Sequence, residues 1–549
     1  MSNCNKKQGA SSMDTTEHTE LGNAVRFEGW DILKGNPYIN FDEQGVLLLD
    51  LQGIGKNGLP QQINLNKLPA GVIVAMSGDY FGGKEVDFDL PTNIQFTKNH
   101  MRYNRENTYE NLGAYLIKLP VSTPEAQKLI NSYKRLANPE VTQRDIDTIY
   151  TIDGAKYIPF FETLNAYTQQ LMFALRVKNY GEMLTRNLSH FTPWSVRAYT
   201  IGHYIALNYA RIAYELTQLL QNPEHQSELD EFNTVREILK NTPEGMSPQF
   251  IQDVAYRYQA LSLSMEFFCF HYYTDHFAAG HGAFIGDLRA VLPERFGTLG
   301  GILVNNLHDE LNRVTVYTRK PYDPTPDVNS PPIAAGGDGD FDSPQNYFNH
   351  LACLAGMKSS LTDLHYVFQG GKIPKQKEYG GLEYLPDIDQ NYRQPQPLII
   401  LGKDQKIYYR TQLSKINILS PSQLQATNNA PTQHGYTELS SIWSALLLVI
   451  KLRGFSLFYQ GTLQPLSAAQ LKVIEEEERK LNPNREPIPQ LPESVMQKPT
   501  TLVPASWREP VEECKTNESL LKHSFLAQTP QKQKKSQELD IEMETNLVM

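Results

Sequence analysis

Cysteine is scarce in this chain. The 549 residues hold four, Cys4, Cys269, Cys353 and Cys514, scattered and without a CxxC pair. They supply neither a disulfide framework nor a thiolate zinc site. Cys269, inside Phe267-Phe268-Cys269-Phe270, reads as core. An apolar h-region is missing from Met1 to Gly22, so no secretory signal peptide is expected. Cys4 stands too early for a lipoprotein cysteine. A long hydrophobic run is missing too. The longest, Ile442 to Ile450 with Trp443 and Ser444 inside it, falls far short of the roughly 20 residues a membrane span needs. A basic block is absent as well: 51 Lys and Arg against 61 Asp and Glu leave a net charge of −10, which argues against a nucleic-acid partner. The chain is expected to be soluble.

What is present is a core-forming composition, 40% apolar, in a length that suits two to four domains. Residues 1–22 read as a disordered tail. Residues 23–78 carry short apolar runs between turn residues, Gly45-Val46-Leu47-Leu48-Leu49 and Gly71-Val72-Ile73-Val74-Ala75-Met76, expected as strands or extended segments. Residues 123–150 are mixed and helical. From about 158 to 315 the apolar period is helical. Thr192-Pro193 is an N-cap and N1 pair for a helix to about Leu220, and further helices are expected from Ser247 to Gly280 and from Gly300 to Arg313. A Pro/Gly/Asp loop over 320–342 precedes a helix opened by Ser343-Pro344 and running to about Val367. Leu398-Ile399-Ile400-Leu401, the turn Gly402-Lys403-Asp404, and Ile407-Tyr408-Tyr409 spell a hairpin. A helix over 437–453 is expected to pack on the core. Beyond 482 the chain is rich in Pro, Lys, Gln and Glu and reads as mostly disordered. The fold expected is mainly α, with added β segments on the N-terminal side and after residue 390. Its parts are a tail (1–22), a catalytic domain (23–375), an accessory region (376–481) and a second tail (482–549).

Chemistry concentrates in one run, His271-Tyr272-Tyr273-Thr274-Asp275-His276-Phe277-Ala278-Ala279-Gly280-His281, with three of the chain's 13 histidines. His271 and Asp275 are four apart and share a helix face; His281 follows Gly280, where a helix bends or stops. His308 has Asp309 beside it and Asn312 at i+4. Upstream stand His190, before a helix start, His203, and Asp79 at the end of an apolar run. Imidazole and carboxylate are zinc's oxygen and nitrogen ligands, and several of them are costly to bury together without a metal. His276, His350 and His365 read as ordinary packing histidines.

The order Asp79, His190, His271-x3-Asp275-x5-His281, His308 resembles the zinc-dependent phospholipase C / P1 nuclease superfamily over roughly residues 65–370. The phrases Gly78-Asp79-Tyr80-Phe81, Asn187-x2-His190-Phe191-x-Pro193 and His308-Asp309-x-x-Asn312 look like the bacterial metallophospholipases C of environmental bacteria and intracellular pathogens. The resemblance implies a helical core and two or three zinc ions. Asp79, His190, His271 and Asp275 would surround the first zinc, and His281 and His308 would hold the second. Asp275 would bridge to a third, with His203 as candidate ligand. This chain departs from the pattern twice. It offers no N-terminal tryptophan for the third zinc, and Asn312 stands where the family has a carboxylate, so that either Asn312 is a metal ligand through its carbonyl oxygen or Asp309 or water fills the place.

The activity implied is hydrolysis of a glycerophospholipid, such as phosphatidylcholine, at a membrane surface, giving diacylglycerol and a phosphorylated head group. Asp79 and Asp275 would be the catalytic carboxylates, and Tyr80 and Phe81 could contact lipid or simply pack. The alternatives are a P1-like nuclease acting on nucleic-acid phosphodiesters and a non-catalytic interaction protein with structural zinc. The glutamate-rich C-terminus from Glu538 looks like the translocation signals of type IV-secreted effectors. It implies secretion into a host cell without a cleaved signal peptide.

Overall fold

The long buried helices set the frame. The structure, a computed structural model, describes residues 15–63, 67–82, 116–117, 119–159, 162–177, 188–192, 194–314, 316–318, 333–335, 347–386 and 394–481. The expectations for residues 1–14, for most of the 320–342 loop, for the helix start at Ser343-Pro344 and for the 482–549 tail lie outside those residues. The helices are α1 (Thr15–Ala24), α2 (Ala70–Met76), α3 (Thr123–Leu136), α4 (Gln143–Asp153), α5 (Glu162–Arg176), α6 (Trp194–Gln221), α7 (Asp230–Lys240), α8 (Pro248–Asp275), α9 (Ala283–Phe296), α10 (Thr298–Arg313) and α11 (Tyr347–Phe368). After these come α12 (Pro421–Asn429), α13 (Ile442–Val449), α14 (Ser456–Tyr459) and α15 (Ala468–Leu481). The protein is mainly α, with small β segments on the N-terminal side and later in the chain, as expected.

Helices α6 and α8 pack against each other along their length. Close approach is possible because Gly202 faces Cys269: a Cβ on that glycine would lie 2.3 Å from the cysteine Cβ. From Tyr258 to Asp275, α8 is buried on every side, so its polar residues must all find partners inside the protein. Cys269 is buried and unpaired with another cysteine, in agreement with its core reading.

Two expectations fail near the N-terminus. Thr15 to Gly22 belong to helix α1 rather than to a disordered tail, and Gly71 to Met76 form helix α2 rather than a strand. The two failures have one cause. Gly22 and Gly71 meet backbone to backbone, so that a Cβ on Gly22 would stand 2.5 Å from the Gly71 Cα. The polar side chains of α1 are buried but bonded: Thr15 Oγ1 to Tyr80 Oη at 3.0 Å and Thr19 Oγ1 to Tyr150 Oη at 2.7 Å. A short apolar run buried on all sides carries no periodicity that separates helix from strand. Nearby, strands Ile39–Phe41, Leu47–Leu49 and Leu68–Pro69 make a small antiparallel sheet, Gln52–Ile54 pairs with Pro60–Gln62, and the expected strand at Leu47 is present.

Later in the chain, the hairpin Ile399–Leu401 with Ile407–Arg410 forms as expected and gains Tyr436–Glu438 as a third strand. That strand takes the beginning of the helix expected over 437–453, which starts only at Ile442. The expected 320–342 loop contains a strand, Ile333–Ala335, paired with Val316–Thr318. Leu398, Ile399, Ile407, Leu413, Ile416, Ala445 and Leu448 join Ile285, Leu292, Leu307 and Leu311 in one hydrophobic cluster. The region after residue 390 therefore shares its core with α9 and α10. A buried bidentate ion pair reinforces the union. Arg410 Nη1 and Nη2 donate to Glu310 Oε1 and Oε2 at 2.9 and 2.7 Å, and Glu310 lies between His308 and Asn312 on α10.

Candidate metal centre

The C-terminal end of α8 delivers His271 and Asp275 into a buried cluster, and three other elements close around them. Asp275 accepts from, or faces, four imidazoles. His190 Nδ1 is 2.7 Å from its Oδ2 and His271 Nε2 is 3.5 Å from the same oxygen. His18 Nε2 is 3.4 Å from Oδ1 and His281 Nε2 is 3.9 Å from it. His190 sits on the one-turn helix Leu188–His190 and His281 on Ala279–His281. The two turns are fastened together where the Thr192 N–H donates to the His281 carbonyl, 2.9 Å away. All five side chains are buried.

The hydrogen-bond network fixes the His271 tautomer and orients the His18 ring. His271 Nδ1 lies 3.0 Å from the Val74 carbonyl, which can only accept, so Nδ1 carries the proton and Nε2 presents a lone pair. The Thr274 hydroxyl has the Phe270 and His271 carbonyls at 2.8 and 2.9 Å to take its proton. The same hydroxyl lies 2.9 Å from His18 Nδ1 and turns His18 Nε2 toward Asp275 Oδ1, 3.4 Å away. The His271 lone pair and the Asp275 carboxylate offer donor atoms to a cation. This outer bonding is how metal-binding histidines are oriented.

Electrostatics agree with the donor set. Burial holds the His271 and His281 imidazoles well below the usual histidine range, and the neighbouring rings add to it, so both are neutral. Burial would raise the Asp275 carboxyl, but His271, His190 and His281 outweigh it and keep the group ionised, well below the usual carboxylate range. Neutral His271 and His281 beside an ionised Asp275 are in the ionisation state that metal binding requires. Two triads, His18/His271/Asp275 and His190/Asp275/His281, have ligand atoms close enough to hold an ion, and Asp275 belongs to both. The residues fit a metal; its identity is not fixed by them.

The expected residues divide into three groups. His190, His271, Asp275 and His281 come together as foreseen. His308 and Asn312 stand at the edge: the His308 ring lies 4.7 Å from that of His281, and Asn312 Nδ2 lies 3.2 Å from His308 Nε2. Asn312 Oδ1 accepts from the Gly280 N–H, so it clamps the His281 turn to α10. A Cβ on Gly280 would stand 2.5 Å from the Asn312 amide, and this contact requires glycine. Asp79 belongs to the π-helical turn Ser77–Gly82, and its side chain is outside the described residues. Its neighbour Gly78 forms a wall of the cluster, since a Cβ there would meet His271 Nε2 at 2.1 Å and His190 Cε1 at 2.4 Å.

His203 is corrected. It lies in a separate cluster, with Nδ1 2.9 Å from Glu266 Oε2 and Nε2 3.4 Å from Asp363 Oδ2, between the rings of Tyr199 and Tyr379. Glu266 precedes His271 by five residues, which turns it about 140° round the helix away from the Asp275 face. Tyr80 is a packing residue: its ring lies 5.5 Å from that of Phe173 and its hydroxyl bonds Thr15. His276 is satisfied on both nitrogens, by the Thr192 hydroxyl at 2.7 Å and the Pro386 carbonyl at 2.8 Å, as a packing histidine should be.

The residue that sequence reasoning missed is His18. Its stretch, Thr15-Thr16-Glu17-His18-Thr19-Glu20-Leu21-Gly22, is polar and looks like a tail. One signal was available: His18, Leu21, Gly22 and Val25 stand at i, i+3, i+4 and i+7, a single helix face. No family model, no curated protein and no solved structure matches the chain.

Proposed function

We propose that the chain is a zinc-dependent phospholipase C of the zinc phospholipase C / P1 nuclease superfamily, cleaving glycerophospholipids to diacylglycerol and a phosphorylated head group. The observation that supports this reading is the convergence of four imidazoles on one buried carboxylate, with the His271 tautomer fixed to aim a lone pair inward. Zinc suits a nitrogen and oxygen ligand set of this kind, and we propose two ions that share Asp275. Zinc bound there would supply Lewis acidity and a water of lowered pKa. The protein's residues do the rest. Asp275 spans the two triads with its two oxygens. Thr274 and the Val74 carbonyl hold His18 and His271 in orientation. Asp79, next to the Gly78 wall, is proposed to orient the attacking water and accept its proton.

The test is metal analysis and diacylglycerol release on zinc-loaded protein, with His271→Ala beside it. The reading expects bound zinc and turnover, both lost in the variant. Full activity in the variant, or activity without metal, contradicts it. Cleavage of single-stranded DNA but not of phospholipid would install the nuclease reading. Bound metal without turnover on any phosphodiester would install a structural-zinc interaction protein.

Among the described residues no helix is long and apolar enough to cross a membrane. Export into a host cell through residues 482–549 belongs to the same proposal, supported by the glutamate-rich C-terminus. Deleting residues 520–549 should abolish delivery into host cells while leaving the purified enzyme active; unchanged delivery contradicts it.

A further inference from the structure

The stretch from Ser441 to Gln460 turns one face to the core and another to solvent. Ala445, Leu448 and Val449 lie in the hydrophobic cluster shared with α9 and α10, and Leu452 and Tyr459 pack against it. The segment is thus anchored. On its other side Trp443, Leu447, Ile450, Phe455, Leu457 and Phe458 are exposed, Trp443 by 71% and Leu457 by 87%. Trp443, Leu447 and Ile450 follow the i, i+4, i+7 spacing of one helix face, so the exposure is a designed stripe rather than scatter. Contiguous exposed apolar surface of this kind marks an interaction site.

Charge and place identify the partner. Between Ser441 and Gln460 there are two cations, Lys451 and Arg453, and no acid, in a chain of net charge −10. Exposed Lys451 holds its ammonium 6.0 Å from the Tyr459 ring centroid. Tryptophan and other apolar side chains ringed by cations suit the boundary between acyl chains and phosphate head groups. The segment that carries the patch packs on α10, the helix of His308. Arg453 Nη1 donates to Gln170 Oε1 of α5 at 2.9 Å, and exposed Leu171 and Leu175 follow on α5.

We propose that Trp443, Leu447, Leu457 and Phe458, with Lys451 beside them, form a docking surface for a phospholipid bilayer that brings the metal centre to the lipid. The reason for docking rests on the phospholipase reading, but docking itself is measurable without turnover. Full-length zinc-loaded protein is floated with vesicles of phosphatidylcholine, with and without phosphatidylglycerol, and Trp443 emission is followed with lipids brominated near the head group. Binding is expected, with a blue shift and quenching that Trp443→Phe removes. A triple variant, Trp443→Ser, Leu457→Ser and Phe458→Ser, should lower vesicle binding at least about tenfold, since insertion scales with buried apolar area. It should cleave a water-soluble phosphodiester as before. Lys451→Glu, which keeps the apolar face, should weaken binding mainly to vesicles with phosphatidylglycerol. Equal binding by wild type and triple variant overturns the proposal. So does self-association that the triple variant abolishes, with no vesicle binding. Vesicle binding without lipid cleavage leaves docking standing and removes the phospholipase reading. Cleavage of a soluble phosphodiester with no vesicle binding does the reverse.

Discussion

Two buried histidine clusters share helix α8, and they balance charge in opposite ways. At one, a single imidazole, His203, stands between two carboxylates, Glu266 and Asp363, with the Ser360 hydroxyl donating to Glu266. Burial pushes the His203 pKa down, but Glu266 and Asp363 outweigh it and hold it at about 9, so the ring is a cation with anionic partners. At the other, a single carboxylate, Asp275, stands among four imidazoles, and burial keeps His271 and His281 neutral. The first cluster is complete without a ligand and ties α6, α8 and α11 together. The second gathers donor atoms that could hold a cation. The ratio of imidazole to carboxylate, rather than the number of buried histidines, separates a metal site from a structural ion pair.

The largest way to break this contrast is Asp275→Asn. It removes the one anion the two triads share, and bound metal should fall to background while the fold, read by circular dichroism, persists. Retention of metal would mean that the imidazoles suffice alone. Glu266→Gln should do the opposite, leaving metal content unchanged and lowering unfolding free energy by about 3–5 kcal/mol, the usual cost of orphaning a buried charge. Denaturant melts with metal analysis separate the two outcomes. Thr274→Val removes the hydroxyl that orients His18, and metal affinity should drop about 10–100-fold, the range for an outer-shell partner; competition with a chelator measures it. The smallest effect is on pH dependence. The folded pKa of His203 is raised from 6.5 to about 9, so its stabilisation is fully present below about pH 6.5 and is lost as the pH rises through about 9. The melting temperature of wild type should fall over that window, and His203→Gln should flatten the fall.

How much of this was legible in the sequence depends on where each signal lies. The His271-x3-Asp275-x5-His281 spacing is local, and a helix with a terminal turn converts it directly into converging ligands. His190 and the hairpin at Leu398 were legible for the same reason, through a helix start and a turn. His18 and His203 were not, because what decides them is tertiary. His18 becomes a candidate ligand only when Gly22 and Gly71 let a polar helix reach α8. His203 becomes an ion-pair residue only when α11 brings Asp363 to its other nitrogen. The α2 segment failed because an all-buried run erases its own period. The exposed face of α13 was hidden by the same uniform apolarity: every position of Ile442 to Ile450 except Ser444 is apolar, and composition cannot say which side meets water.

The most direct test of the account is anomalous diffraction at the zinc edge from crystals of zinc-loaded protein. Density is expected within bonding distance of Asp275, shared with His18 and His271 or with His190 and His281, and none beside His203. Density beside His203, or none at Asp275, would contradict it.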